Sequence, residues 1–306
     1  MLREAIKKVK STRFYLLIGF LAFIVIAEIV FTVLIPLWRE HFYDVLERKD
    51  SANFNMSLVY FMIMMLGLGF AQGLKVWVGQ LISFEVRRTT TKVLFKPWVK
   101  GVRTAKNYTQ SMTESLRYAT ELYLEVCVEL IISCTIVVAL IFLNADQPII
   151  LWPAAAYTVS MTVIAVFFNK PMIGSDMAWQ KEEGAFKETL AYIHSGIDCF
   201  TFKQKLEMIA FSYYRYIRVV MYFALFTRVK GSLATLVPYM LLSTPFFLGE
   251  ITLGEFMKAV GSFELIVINS TILLVLYPKL TRARASYKIS QKFYVEVKEK
   301  EPVDGK

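Results

Sequence analysis

Six apolar runs determine what this chain can fold into. Each has close to the ~20 residues that an α-helix needs to cross the hydrocarbon core of a bilayer. The chain is 56% hydrophobic, with a mean hydropathy of +0.48. We therefore predict an all-α membrane protein with six transmembrane helices, over residues 14–36, 56–82, 121–143, 149–168, 231–248 and 256–280. We expect a single transmembrane domain over residues 1–295 and a flexible charged tail over residues 296–306.

The positions of the basic residues predict the orientation of these helices. Lys and Arg total 35 against 25 acidic residues, which gives a net charge of +10. The basic residues flank the apolar runs instead of forming one patch, a pattern that is typical of membrane topology and not of nucleic-acid binding. The positive-inside rule then places both termini in the cytoplasm. The first run is longer than a signal-peptide core and no A-x-A site follows it, so we expect it to be retained.

The segments between the spans carry further expectations. PLWREHFYDVLERKDSANF is predicted to be an exposed connection with one or two helical turns, and residues 84–117 a basic cytoplasmic loop. The polar stretch after the fourth span is predicted to form long cytoplasmic extensions of the fourth and fifth spans. Pro238 and Pro245 are expected to break the fifth span, which should then face a protein interior. In the second span, a series of small residues predicts close helix packing, namely Gly67, Gly69, Ala71 and Gly73.

Four glutamates form a ladder on the predicted third helix. Glu114, Glu121, Glu125 and Glu129 fall within an arc of roughly 80° at 100° per residue. The ladder leads into an uncharged apolar stretch, where acids are costly and typical of proton pathways. One interpretation is a proton relay that lines a water-filled cavity. The alternative is that Glu114 and Glu121 lie at or outside the membrane edge and pair with nearby Arg or Lys.

Two more acids, Glu28 and Glu264, lie in the first and last predicted spans. They are further candidates for proton coupling. The alternative is that Lys75, the only cation in the middle of a predicted span, forms a structural ion pair with either of them.

Candidate substrate contacts lie in two places. The second span contains Lys75 and Gln72. The aromatic stretch at residues 211–228 could hold a peptide through stacking and cation–π contacts, and its candidate residues are Tyr213, Tyr214, Arg215 and Arg218. The alternative for this stretch is an interfacial aromatic belt and helix packing.

Several function classes are not supported by the residues. The sequence contains no Walker A motif, only two histidines, His41 and His194, and three cysteines without CxxC spacing. We therefore expect no enzyme activity, no metal site, no disulfide and no cofactor other than protons as the coupling ion.

Several segments resemble one transporter family. PLWREHFYDVLERKD is similar to the segment after the first helix in the SbmA/BacA peptide-transporter family, and PFFLGEITLGEFMKAVGSFELI resembles the turn between its fifth and sixth helices. The matched positions are Trp38, Phe42, Tyr43 and Asp44 in the first segment, and Gly249, Ile251, Thr252, Leu253 and Gly254 in the second. FNKPMIGSDMAWQKEEGAFKETLAYI and YYRYIRVVMYFALFTRVKG also fit, so the resemblance covers residues 36–293. Among the candidate acids, it extends to Glu114.

The resemblance implies a homodimer with the transmembrane architecture of an ABC exporter but without nucleotide-binding domains. Such a dimer uses protons to import peptides or peptide-like antibiotics, including antimicrobial peptides, by alternating access across the lipids of a bacterial inner membrane. A rival hypothesis is the membrane subunit of a split ABC transporter whose ATPase is a separate chain that docks on residues 92–113 and 182–205. A third is a structural or partner-binding membrane protein that transports nothing.

Overall fold

The computed structural model describes residues 12–101, 116–145, 148–191 and 199–272, and seven later positions between 276 and 291. The regular structure in these ranges is helical. The six helices are α1 (Thr12–Glu47), α2 (Ser51–Gly101), α3 (Leu116–Leu143), α4 (Pro148–Ala191), α5 (Cys199–Phe247) and α6 (Leu253–Ser270).

Five of these helices contain segments that are long and apolar enough to cross a membrane. The segments are Arg13–Glu47, Ser51–Lys92, Thr120–Leu143, Ile149–Phe167 and Phe202–Phe247. This is consistent with the predicted multi-pass membrane protein. The sixth predicted span begins in α6, whose apolar sequence is interrupted by Glu255, Lys258 and Glu264.

The helices are longer than the apolar runs that predict them. α1 passes through Pro36 and ends at Glu47, so most of the expected connection is a continuation of this helix. The turn at Arg48–Asp50, with Lys49 at φ 56°, leads directly into α2. Hydrogen bonds from the side-chain amide and the backbone N–H of Asn53 hold the pKa of Asp50 below its usual range at this turn.

Two further predicted segments are also helical. α2 extends to Gly101, so about half of the predicted loop is helix, and residues 102–115 lie outside the described part of the chain. The polar extensions of the fourth and fifth spans are confirmed as helix within α4 and α5.

The predicted break in the fifth span is wrong. α5 continues through Pro238 and ends at Phe247, two residues after Pro245. A proline removes one helical hydrogen bond, which membrane helices tolerate where neighbouring groups compensate. Pro238 is buried between Ala234 and Leu242, so this face of α5 packs against the bundle.

α6 is the centre of the described bundle. It packs against α1, α3, α4 and α5, and Phe263, Val260 and Val267 are almost completely buried. A second cluster joins α1 to α2 through Leu21, Ile24, Val78 and their neighbours. Because lipid tails are as apolar as these side chains, close packing stabilises such contacts more than removal from water does.

The small residues of α2 divide between two faces of the helix. A Cβ on Gly67 would lie 2.7 Å from the Phe31 ring, and Ala71 is buried. Gly69 and Gly73 have no neighbouring atom within 4 Å of such a Cβ. Residues four apart share a helix face and residues two apart do not, so the prediction of close packing holds for half of the series.

Candidate functional site

Lys75 of α2 joins two carboxylates from two other helices. Its Nζ donates to Glu28 Oε1 of α1 at 2.9 Å and to Glu129 Oε1 of α3 at 2.8 Å. Of the two structural pairings considered for Lys75, the one with Glu28 is observed. Glu129, the third residue of this cluster, is a separate candidate for proton coupling.

The three side chains differ in their access to solvent. Glu28 is 5% exposed, and the Lys75 and Glu129 side chains are 14% and 30% exposed. Glu28 Oε2 is buried and has no hydrogen-bond partner among the described residues. Lys75 is therefore the group that offsets the cost of burying Glu28, whereas Glu129 is also open to water.

Glu129 opens into a cavity of about 360 Å³ between α1, α2 and α3. Its polar lining consists of Lys75, Gln80, Ser83, Glu121, Glu125 and Glu129, and Leu21, Leu124 and Val128 contribute apolar wall. The helical arc calculated for the acid ladder thus corresponds to one side of a real cavity. Glu114 lies outside the described residues.

The other ladder acids have cations of their own. Glu125 Oε1 accepts from Lys279 at 2.5 Å, with both side chains exposed. Glu121 lies 3.8 Å from Arg117 one turn earlier on α3, which is the pairing that the structural alternative expected. Exposed ion pairs of this kind contribute little to stability. Glu129 therefore differs from Glu125 in its partner, which is Lys75 instead of an exposed lysine.

Glu264 belongs to a different cluster. The expected pairing with Lys75 is wrong for this residue, because Glu264 Oε2 lies 3.5 Å from Arg39 of α1 and Oε1 accepts from Thr235 of α5 at 2.7 Å. A Cβ on Gly261 would lie 2.8 Å from Arg39 Nη1, so the glycine gives Arg39 room to reach Glu264.

The remaining substrate candidates do not line this cavity. Gln72 is exposed on α2. Tyr213 contacts Trp179 of α4 at 5.4 Å between ring centroids, on the paired extensions of α4 and α5. Its three companions on α5 are exposed, namely Tyr214, Arg215 and Arg218.

Two of the sequence segments that carry the family resemblance meet in space. Asp44 Oδ1 of α1 accepts from the backbone N–H of Gly254 at 3.0 Å, and Glu47 accepts from that of Leu253 at 3.1 Å. Two carboxylates of one helix therefore cap the start of another, where free N–H groups attract negative charge. We call this contact the α1–α6 clasp.

Other motif residues hold the clasp in place. Trp38 stacks between Phe42 and Phe61 and donates to the Ser57 carbonyl of α2 at 2.8 Å, while Tyr43 packs edge-on against Phe42. Gly249 has φ 72°, a conformation that favours glycine. Thr252 and Glu255 then form a capping box at the start of α6.

A sequence model of the SbmA/BacA-like family matches residues 11–298. The chain belongs to the SbmA/BacA-like family. A search of curated proteins gives no match. The family match spans both halves of the clasp and all three helices of the Lys75 cluster, and SbmA/BacA-like proteins are transporters.

The sequence alone did not predict all the partners of these acids. It did not predict that Arg39 pairs with Glu264, or that Ser83 and Gln80 line the cavity. One signal was present: Glu28 and Arg39 are 11 residues apart, which places them about 20° apart around α1. A common face for these two charges was thus predictable, but not the helices that they meet.

Proposed function

We propose that this chain is a proton-coupled secondary transporter that imports peptides or peptide-like antibiotics by alternating access, as a homodimer in a bacterial inner membrane. Membership of the SbmA/BacA-like family and the apolar helices are consistent with a peptide transporter. The observation that carries the proton-coupled proposal is the cluster of Lys75, Glu28 and Glu129 beside a cavity.

The charges of this cluster support coupling. One ammonium faces two carboxylates, so the cluster has one excess negative charge when both carboxylates are ionised. Binding of one proton neutralises it. An unbalanced charge inside a membrane protein is costly, so each protonation state can favour a different arrangement of α1, α2 and α3.

The length of α5 supports a dimer. The part of α5 that contains its apolar window, Phe202–Phe247, has 46 residues, or roughly 69 Å of helix, whereas the hydrocarbon core is about 30 Å thick. Phe211, Tyr214 and Leu225 are exposed along it. Lipid covers less than half of this length, and a second copy of the chain would cover apolar surface outside the hydrocarbon, as in an ABC-exporter-type dimer.

In this proposal α6 begins the sixth span. Its 18 residues extend roughly 27 Å, close to the thickness of the hydrocarbon core. Two of its charged residues form ion pairs with α1, namely Glu264 with Arg39 and Lys258 with Glu40, which is how charges are accommodated at this depth.

The test is uptake of a labelled antimicrobial peptide into membrane vesicles with an acidic exterior, with and without an uncoupler. We expect uptake to collapse with the proton gradient. We expect Glu129→Gln to reduce it about tenfold or more, because the group that changes charge is lost, and the matched variant Glu125→Gln to reduce it less.

Uptake that persists after the gradient collapses would exclude proton coupling. Uptake that requires ATP and a co-purified nucleotide-binding subunit would instead support the split ABC transporter. Unchanged uptake in the Glu125→Gln/Glu129→Gln double variant would contradict a role for the ladder.

A further inference from the structure

We infer that Lys75 is a positioning residue that latches α3 to α1 and α2, and that protonation of Glu129 opens this latch. The inference rests on the proposed function and assigns unequal roles to the two carboxylates that Lys75 holds.

The first step concerns Glu28. Its side chain is almost completely buried, and its Oε2 has no partner among the described residues. If Lys75 left Glu28, an uncompensated carboxylate would remain inside the bundle, which is strongly unfavourable. The bond of 2.9 Å between Lys75 and Glu28 is therefore the one that persists.

The second step concerns Glu129. Its side chain is 30% exposed and lies on the cavity wall, so water can replace Lys75 as its partner. A protonated Glu129 no longer attracts the ammonium as an ion. The bond of 2.8 Å between Lys75 and Glu129 is the one that a proton can open.

The other charged residues near the cavity and on α6 have partners of their own. The other acids on the cavity wall, Glu121 and Glu125, have Arg117 and Lys279 beside them. On α6, Glu264 and Lys258 pair with Arg39 and Glu40 of α1. Lys75 is thus the cation in contact with Glu129 among the described residues, and loss of this contact removes the charged link from α3 to α1 and α2.

The structure supplies a reporter for the latch. A Cβ on Gly79 of α2 would lie 3.4 Å from Leu124 Cδ2 of α3, one helical turn from Lys75. A Gly79→Cys/Leu124→Cys variant, with Cys127, Cys134 and Cys199 replaced by Ser, can be cross-linked with a short bifunctional thiol reagent in detergent. The rate measures how often α2 and α3 are in contact and does not require transport.

We expect Glu129→Gln to reduce the cross-linking rate about tenfold, since a bond between two charged groups is lost. Each rate is divided by the rate of a thiol standard whose reactivity does not depend on Glu129. As the pH falls, this ratio for the parent should approach the lower value of Glu129→Gln. The ratio for Glu129→Gln itself should not change with pH. Lys75→Met/Glu28→Gln, which leaves no unpaired carboxylate at position 28, should resemble Glu129→Gln.

Lys258→Met is the matched control, because it removes a Lys–Glu pair of 3.0 Å and similar burial outside the cavity. It should keep the parent's pH dependence.

The latch is excluded if Glu129→Gln cross-links like the parent, or if Lys75→Met/Glu28→Gln retains the parent's pH dependence. Either result, with uptake still sensitive to an uncoupler, removes the latch and leaves proton coupling. Uptake insensitive to an uncoupler removes proton coupling whatever the cross-linking shows.

Discussion

Gly254 lies where the backbone of α6 comes very close to α1. A Cβ at this position would overlap the Asp44 carboxylate and the carbonyl oxygen of Glu40. We predict that Gly254→Ala destabilises the protein by about 1–3 kcal/mol, because the clasp must move apart to accommodate the methyl group. The measurement is thermal unfolding in detergent, and equal melting temperatures for Gly254→Ala and the parent would contradict it.

Gly69→Ala is the matched control. It also places a methyl group on a helical glycine, but a Cβ there meets no atom within 4 Å. Alanine restricts the unfolded backbone more than glycine does, so Gly69→Ala should leave stability unchanged or raise it by up to ~1 kcal/mol.

The acid ladder shows what could be predicted at the scale of residues. Its helical arc follows from the positions of Glu121, Glu125 and Glu129 alone, and all three line the cavity. Their partners could not be predicted from this spacing, because Lys75 is 54 residues from Glu129 and Lys279 is 154 residues from Glu125. Such pairs depend on how helices pack, for which a single helix's periodicity carries no information.

The start of α6 shows two capping systems at the scale of an element. Within the element, the Thr252 hydroxyl accepts from the Glu255 backbone N–H at 3.1 Å. From outside it, Asp44 of α1 accepts from Gly254. The sequence pattern Thr-x-x-Glu predicts the first contact. The second is a tertiary contact between residues 210 positions apart.

These two contributions can be separated by mutation. Thr252→Ala should cost about 1 kcal/mol of stability, whereas Thr252→Ser keeps the hydroxyl and should cost little. Asp44→Ala should cost a further ~1–2 kcal/mol, since a backbone N–H loses its charged acceptor. Urea titration in detergent measures both. Equal stabilities for Thr252→Ala and Thr252→Ser would show that the hydroxyl does not cap α6.

The ends of the helices were less predictable than their apolar centres. Hydropathy marks the part of a helix that crosses the hydrocarbon, and it does not report where the backbone hydrogen bonding stops. α1 and α2 therefore continue into charged sequence that resembled a connection and a loop. The prolines of α5 were misleading, because membrane helices tolerate them better than soluble ones.

At the scale of the whole molecule, the distribution of charge makes a prediction about orientation. Lys203 lies in the polar N-terminal part of α5, and Glu250 lies in the turn between α5 and α6. The helix between them extends roughly 66 Å, more than twice the hydrocarbon thickness. The positive-inside rule assigns the basic end of α5 to the cytoplasm, so the turn at Glu250 should face the outside.

Single cysteines in a background without the three native ones test this orientation. A membrane-impermeant maleimide should label Glu250→Cys in intact spheroplasts and Lys203→Cys only after permeabilisation. Leu236→Cys is the control for the hydrocarbon, since residue 236 is exposed on the helix surface and should stay unlabelled because lipid covers it. Labelling of Lys203→Cys in intact spheroplasts would show that the topology is the reverse of the predicted one. The clasp would then lie on the cytoplasmic side, and protons from outside would reach the Lys75 cluster from the opposite end of the bundle.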